Sequence, residues 1–107
     1  MDRYNELFEE RGCDELPENL RESMGKAALA IDSIRFDDET KRELMERLLF
    51  NSSKTVEKFL YSKKQTPMQY YDLIARQMEM LDDRNETQEG KQAAARVLMD
   101  NYERAEF

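Results

Sequence analysis

The sequence predicts an all-α fold, a single compact bundle of four to six helices, and three observations carry that expectation. Glycine and proline together supply only five of 107 residues while charged residues supply 38%, a balance that suits helices better than turn-rich β architecture. Apolar residues recur at three- and four-residue intervals, the period of an amphipathic helix. No stretch alternates apolar and polar residues over the length of a strand. A chain of 107 residues fits one core of ordinary size. One helical domain is therefore expected over 1–107, with 1–12 as a docked N-terminal arm or short helix.

Residues 1–11 read as that arm. Tyr4, Leu7, Phe8 and Arg11 share a side, and Gly12 falls at the position just past the helix end where a left-handed residue is favoured. The next helix is expected to begin near Glu15-Leu16-Pro17, because proline suits a first turn. Leu20, Met24, Ala27, Ile31 and Ile34 then follow at intervals of 4, 3, 4 and 3. Gly25, Ala27, Ala28 and Ala30 would let a neighbouring helix approach closely, so this helix is placed at the centre of the bundle. A dimeric coiled-coil seam is the alternative use of the same stripe, although about three heptads are few for one.

Phe36-Asp37-Asp38-Glu39-Thr40 marks a break and a new start. Asp37 or Asp38 is suited to cap, and Thr40 with Glu43 makes a second capping box. Leu44, Met45, Leu48 and Leu49 form the inward face of the helix that follows. A kink or brief break is expected near Asn51-Ser52-Ser53, since these side chains compete for backbone hydrogen bonds. The register Met45, Leu49, Ser52, Val56, Phe59, Lys63 nevertheless runs through them.

Thr66-Pro67-Met68-Gln69 is the strongest start signal in the chain, a threonine cap with proline at the first helical position and glutamine completing the box. Tyr71, Ile74, Met78 and Leu81 form the inward face of this helix, and Tyr70, Leu73 and Met80 widen its apolar surface. Residues 82–89 contain no apolar side chain, which predicts a loop or a solvated turn opened by Asn85 and Gln88. The last helix is expected to pack through Gly90, Ala94, Val97, Leu98, Asn101 and Ala105, with Tyr102 and Phe107 closing the end of the core.

Composition then narrows function. No run approaches the ~20 apolar residues that a bilayer span needs, and the first residues lack the apolar core of a signal peptide, so a cytoplasmic protein without a membrane partner is expected. Cys13 is the only cysteine, which excludes an intramolecular disulfide and limits a zinc site to one thiolate. It is expected to pack as a small apolar group near a turn. There is no histidine, and with it go the commonest general base and the usual transition-metal ligand.

Catalysis would have to come from carboxylates, and two acidic populations exist: Glu6, Glu9, Glu10, Asp14, Glu18 and Glu22, and Asp38, Glu39, Glu43 and Glu46. Carboxylates one turn apart can hold Mg²⁺ in bundle enzymes, so a carboxylate-metal phosphohydrolase is one reading. These residues lie mostly beside other charges and near helix starts, where they complement the macrodipole and solubilise an outer face. Ser52, Ser53, Ser62 and Cys13 have no histidine to activate them, and no phosphate-binding glycine motif is present. A non-enzyme is expected, with no catalytic residue, cofactor or metal assigned.

The net charge of −7 is unevenly placed. Residues 1–50 carry −6, residues 51–66 carry +3 and residues 67–107 carry −4. Such a molecule repels nucleic acid and anionic lipid over most of its surface and suits a basic partner. The basic island has Lys54, Lys58, Tyr61 and Lys64 on one side of its helix, a mixture that resembles what single-strand binders use. Lysines at a helix C-terminus are also favoured with no ligand at all. Nucleic acid is therefore the alternative and not the expected direct ligand.

Seven methionines, five tyrosines and five phenylalanines exceed what a thin bundle must bury, and Met and Tyr are adaptable interface residues. The candidate partner-binding residues are Tyr70, Leu73 and Met80 on one helix and Lys54, Lys58, Tyr61 and Lys64 on another. The expected function is an acidic protein-interaction module, an inhibitor or adaptor such as a phage or mobile-element antagonist that occupies a basic nucleic-acid-binding groove. A homodimer contact is the other use of the apolar surface.

Overall fold

The computed structural model describes residues 2–62, 69–83 and 87–103. They form five α-helices: α1 (Asp2–Glu10), α2 (Glu18–Ser33), α3 (Asp38–Ser62), α4 (Gln69–Asp83) and α5 (Gln88–Glu103). A 3-10 turn at Cys13–Glu15 joins α1 to α2, and no strand occurs among the described residues. The all-α bundle expected from the sequence is the fold found.

Four of the helices close a ring. α2 packs against α3 and most extensively against α4, and α5 packs against both α3 and α4. α1 lies outside the ring, against the 3-10 turn, α2 and α3. Polar contacts fix the directions. Arg35, just after α2, meets Asp82 near the end of α4, so α2 and α4 run the same way. Asp37, Glu43 and Arg47 meet Gln92, Arg96 and Asp100 in ascending order, so α3 and α5 also run together, opposite to the first pair. α3 and α4 occupy diagonal corners, joined through the core by a 2.9 Å hydrogen bond between Thr55 Oγ1 and Tyr71 OH.

Each element follows from local chemistry. Gly12 adopts φ 79°, a left-handed conformation that costs a side-chain-bearing residue about 1–2 kcal/mol, and its N–H closes α1 by donating to the Glu9 carbonyl at 2.9 Å. The start of α2 falls later than 15–17. Cys13–Glu15 forms the 3-10 turn, and Pro17 becomes the N-cap, its carbonyl accepting from the Leu20 and Arg21 N–H groups. Leu20, Met24, Ala27, Ile31 and Ile34 are all buried, the larger of them each contributing about 1.5–3 kcal/mol of burial. Ala27, Ala28 and Ala30 are buried too, and their small size lets α4 approach.

Asp37 caps α3, its Oδ1 accepting from the Thr40 N–H at 2.7 Å. Thr40 itself is buried inside the helix, so the second capping box is not used. The break expected at 51–53 does not occur, and α3 runs unbroken for 25 residues. Ser52, Ser53 and Thr55 donate their hydroxyls to the carbonyls of Leu48, Leu49 and Asn51, one turn back, at 2.9, 3.1 and 2.9 Å. The hydroxyls thus supplement the helix ladder instead of replacing it, and burial of Asn51, Ser52 and Thr55 holds them there.

The Thr66-Pro67 start signal lies outside the described residues; α4 is helical from Gln69. Its expected inward face of Tyr71, Ile74, Met78 and Leu81 is buried. α5 is capped by Thr87, whose Oγ1 accepts from the Gly90 N–H at 3.2 Å; Asn85, the expected opener, lies outside the described residues. The inward face of α5 is also rotated from the expected one. Lys91, Ala95 and Met99 are buried and Ala94 and Leu98 half-buried, while Gly90, Val97 and Asn101 are exposed. Lys91 accounts for the rotation: its stem packs inward while its Nζ reaches the Asp82 carbonyl at 3.1 Å. Ala105 and Phe107, and the side chain of Tyr102, lie outside what is described.

Neither α2 nor α4 has a basic residue in its last turn, and cations from other elements satisfy their terminal carbonyls. Lys41 Nζ donates to the Asp32 carbonyl at 2.9 Å. At the Asp82 carbonyl, Lys91 is joined by Arg35 Nη2 at 3.4 Å. These bonds are the side-chain answer to carbonyls left without intrahelical donors.

Candidate interaction surfaces

The side chains bearing charge divide into those that hold helices together and those that do not. Along the α3–α5 seam, Gln92 Nε2 donates to Asp37 Oδ2 at 2.9 Å, Arg96 Nε to Glu43 Oε2 at 3.3 Å and Arg47 Nη2 to Glu43 Oε1 at 3.1 Å, with Asp100 as a further partner of Arg47. Partly exposed pairs of this kind contribute about 0–1 kcal/mol each; they fix the register between two helices more than they stabilise it.

The N-terminal end differs. Glu6, Glu9 and Glu10 on α1, Asp14 and Glu15 in the 3-10 turn, and Glu18 and Glu22 on α2 are all exposed. Among the described residues none of these seven carboxylates takes part in an ion pair. Arg3, Arg11 and Arg21 are the basic residues of the same segment. The spacing of Glu6, Glu9 and Glu10 keeps them on the side of α1 opposite Leu7 and Phe8, and Phe8 is buried. α1 docks by its apolar side and presents carboxylates outward.

The basic island lies on α3. Lys54 is exposed, Lys58 is half-buried and engaged with a partner, and Tyr61 is 84% exposed; Val56 faces the core, 3.7 Å from where a side chain on Gly12 would begin. Lys64 lies outside the described residues. The outward stripe also includes Phe50, 48% exposed, with Lys54 Nζ 4.7 Å from its ring centroid, a cation–π distance. Phe50 was not expected at this surface. Its i, i+4 and i+11 spacing to Lys54 and Tyr61 was the available signal.

Tyr70, Leu73 and Met80 lie on α4, at the diagonal corner from the island, so the two groups of candidate residues do not form one site. Leu73 and Met80 are 42% and 44% exposed and Tyr70 is half-buried. Tyr70 and Leu73 join Leu98 and Asn101 of α5 around an apolar cleft of about 110 Å³, with Val97 exposed nearby on α5. That cleft is small against the ~300–1,000 Å³ of ordinary ligand pockets.

Cys13 is fully buried beside this acidic end, and burial, with the Asp14 charge adding to it, pushes its thiol up to about 11. It packs as a neutral apolar group rather than as a nucleophile. Among the described residues no group of three or more Asp, Glu or Cys side chains is gathered closely enough to hold a metal ion, and no helix among them is long and apolar enough to cross a membrane. Comparison of the chain with protein-family models, curated proteins and solved structures found no match.

Proposed function

We propose that this protein is a non-enzymatic interaction module whose acidic N-terminal end, formed by α1, the 3-10 turn and the start of α2, docks on a basic surface of a protein partner. The observation that carries this reading is the contrast in charge use. Glu43, Arg47, Arg96 and Asp100 are spent on joining α3 to α5, whereas the seven carboxylates from Glu6 to Glu22 join nothing among the described residues. Seven anions on one end attract a cationic surface, steer its approach and repel anionic competitors. A partner whose basic surface is a nucleic-acid-binding groove fits this charge, which makes an inhibitor the favoured form of the module. The cytoplasm is its proposed setting, in keeping with Cys13 packed as a buried thiol.

The test is capture of a partner by wild-type protein and by two variants of equal charge. One converts Glu6, Glu9, Glu10, Glu18 and Glu22 to Gln, and the other converts Glu39, Glu46, Glu57 and Glu89 to Gln and Asp83 to Asn. Loss of the partner with the first variant and retention with the second is the expected result. Equal capture by both removes the acidic end from the function.

A further inference from the structure

The sides of the helix ring differ in chemistry. The surface between α2 and α4 is lined by Lys26, Asp72, Arg76, Glu79 and Asp82 among smaller residues, and the α3–α5 side carries Glu43, Arg47, Arg96 and Asp100. The α4–α5 side has a different makeup. Tyr70, Leu73, Gln77 and Met80 of α4 follow at intervals of 3, 4 and 3, and Gly90, Ala94, Val97 and Asn101 of α5 at intervals of 4, 3 and 4, so each set forms one stripe along its helix. All eight are exposed or half-buried, and Tyr70, Leu73 and Asn101 share the apolar cleft between the two helices. Among the described residues no charged side chain interrupts either stripe. Since 38% of the chain is charged, that neutrality is local to this side and does not follow from composition.

The two stripes also differ in bulk. α4 projects Leu73 and Met80, 42% and 44% exposed, whereas α5 offers glycine, alanine, valine and asparagine. The two helices are antiparallel, and their levels are set by the cleft that Tyr70 and Leu73 share with Leu98 and Asn101 and by the Lys91 bond to Asp82. Leu73 therefore stands level with Val97 and Asn101, and Met80 with Gly90 and Ala94. A two-fold axis between two copies, parallel to the helices, carries α4 of each onto α5 of the other at these same levels. Large side chains then meet small ones in both halves of the contact.

We propose that the α4–α5 side pairs with the same side of a second copy, α4 of each protomer lying on α5 of the other. Charge and shape select this occupant. A basic partner finds no carboxylate here, and a chain of net charge −7 meets its own copy at least electrostatic cost where neither surface is charged. Size agrees. The 16 residues of α5 span about 24 Å at a rise of about 1.5 Å each, and two helices about 10 Å wide make a side of about 24 by 20 Å. Two such sides in contact hide about 1,000 Å² in total, the lower bound for a specific interface, so the dimer is a weak one with a dissociation constant on the order of micromolar or above. α1 packs against α2 and α3, across the bundle from this side, so pairing leaves the carboxylates of α1 facing outward on both copies. The dimer contact and the acidic end are separate surfaces, and either can stand without the other.

The experiment is sedimentation equilibrium of the full chain from about 5 μM to about 1 mM, a range that brackets a weak dimer. Wild-type protein should pass from monomer to dimer, and added salt should tighten the dimer by screening repulsion between two acidic chains. Leu73→Lys and Val97→Glu, both at exposed positions, should each raise the dissociation constant about tenfold or more, because each presses a charge against an apolar surface. Mixed in equal amounts, the two variants should pair again: the new cation at 73 of one copy meets the new carboxylate at 97 of the other, and the second half of the contact keeps its native residues. Leu29→Lys, at an exposed leucine of α2, should leave the dimer unchanged. Melting curves recorded for each variant show that the fold is retained. A wild-type chain that stays monomeric to about 1 mM, or a dimer that survives both single variants, would overturn the proposal. So would a dimer that salt weakens, or a mixture that fails to pair.

Discussion

Tyr71 and Thr55 face each other across the diagonal of the bundle, and the order of their hydrogen bonds is fixed. Thr55 spends its one hydroxyl proton on the Asn51 carbonyl at 2.9 Å, so Tyr71 O–H is the donor in the 2.9 Å contact with Thr55 Oγ1. Both residues are fully buried. The pair therefore ties the corner helices α3 and α4 by a bond that water does not replace.

Removing the donor leaves a buried acceptor. Tyr71→Phe should destabilise the protein by about 1–2 kcal/mol in urea unfolding, and Thr55→Val by a similar amount. The double variant should lose clearly less than the two single losses combined, because the bond is already gone after the first substitution. Strict additivity would mean that the two groups do not act as a pair.

Lys91 gives a second test, of stem against head. Lys91→Ala removes both the buried aliphatic stem and the Nζ bond to the Asp82 carbonyl, and should cost about 1.5–3 kcal/mol, the range for a hydrogen bond to a charged group. Lys91→Met keeps the stem and should cost less. If the two variants unfold at the same urea concentration, the stem contributes nothing to packing.

Acid should weaken the fold through two carboxylates, the Asp37 cap and Asp82. Hydrogen bonds from Thr40 hold the Asp37 carboxyl below the ordinary carboxylate range, and the Arg35 N–H and guanidinium do the same for Asp82. A carboxyl lowered on folding stabilises fully above its unfolded value, about 3.9, and that contribution disappears as pH falls through the lower folded value. Melting temperature should stay level from neutrality to about pH 5 and fall below about pH 4. The Asp37→Asn, Asp82→Asn double variant should show a shallower acid fall, and an unchanged slope would exclude both groups as its cause.

Cys13 sets the alkaline side. Its thiol rises from an ordinary 9.0 to about 11 on burial, so the unfolded chain ionises first and stability should decline between those two values. At neutral pH a thiol reagent should label Cys13 only as fast as the protein opens, and denaturant should make labelling immediate. Rapid labelling of the folded protein would contradict the buried, neutral thiol.

Periodicity made the inward faces of α2 and α4 legible, because Leu20 to Ile34 and Tyr71 to Leu81 are dominated by residues whose burial is their main energetic effect. The α5 face was read a fraction of a turn out, since Lys91 looks solvent-directed in sequence and is drawn inward by a carbonyl on another helix. Asn51-Ser52-Ser53 has the composition of a break, and only burial against neighbouring helices turns its hydroxyls back onto α3. The candidate surfaces were partly legible. Leu73, Met80, Lys54 and Tyr61 are outward as expected, but pairing between distant elements decides which charges remain uncommitted. That is why the acidic end stands out in three dimensions and Phe50 was not foreseen.

The central claim is tested most directly by NMR mapping of the ¹⁵N-labelled protein against its captured partner, at low and at moderate salt. The account predicts the largest amide shifts between Glu6 and Glu22, weakening as salt screens the seven carboxylates. Shifts confined to Lys54, Lys58 and Tyr61, or to Tyr70, Leu73 and Met80, and insensitive to salt, would contradict it.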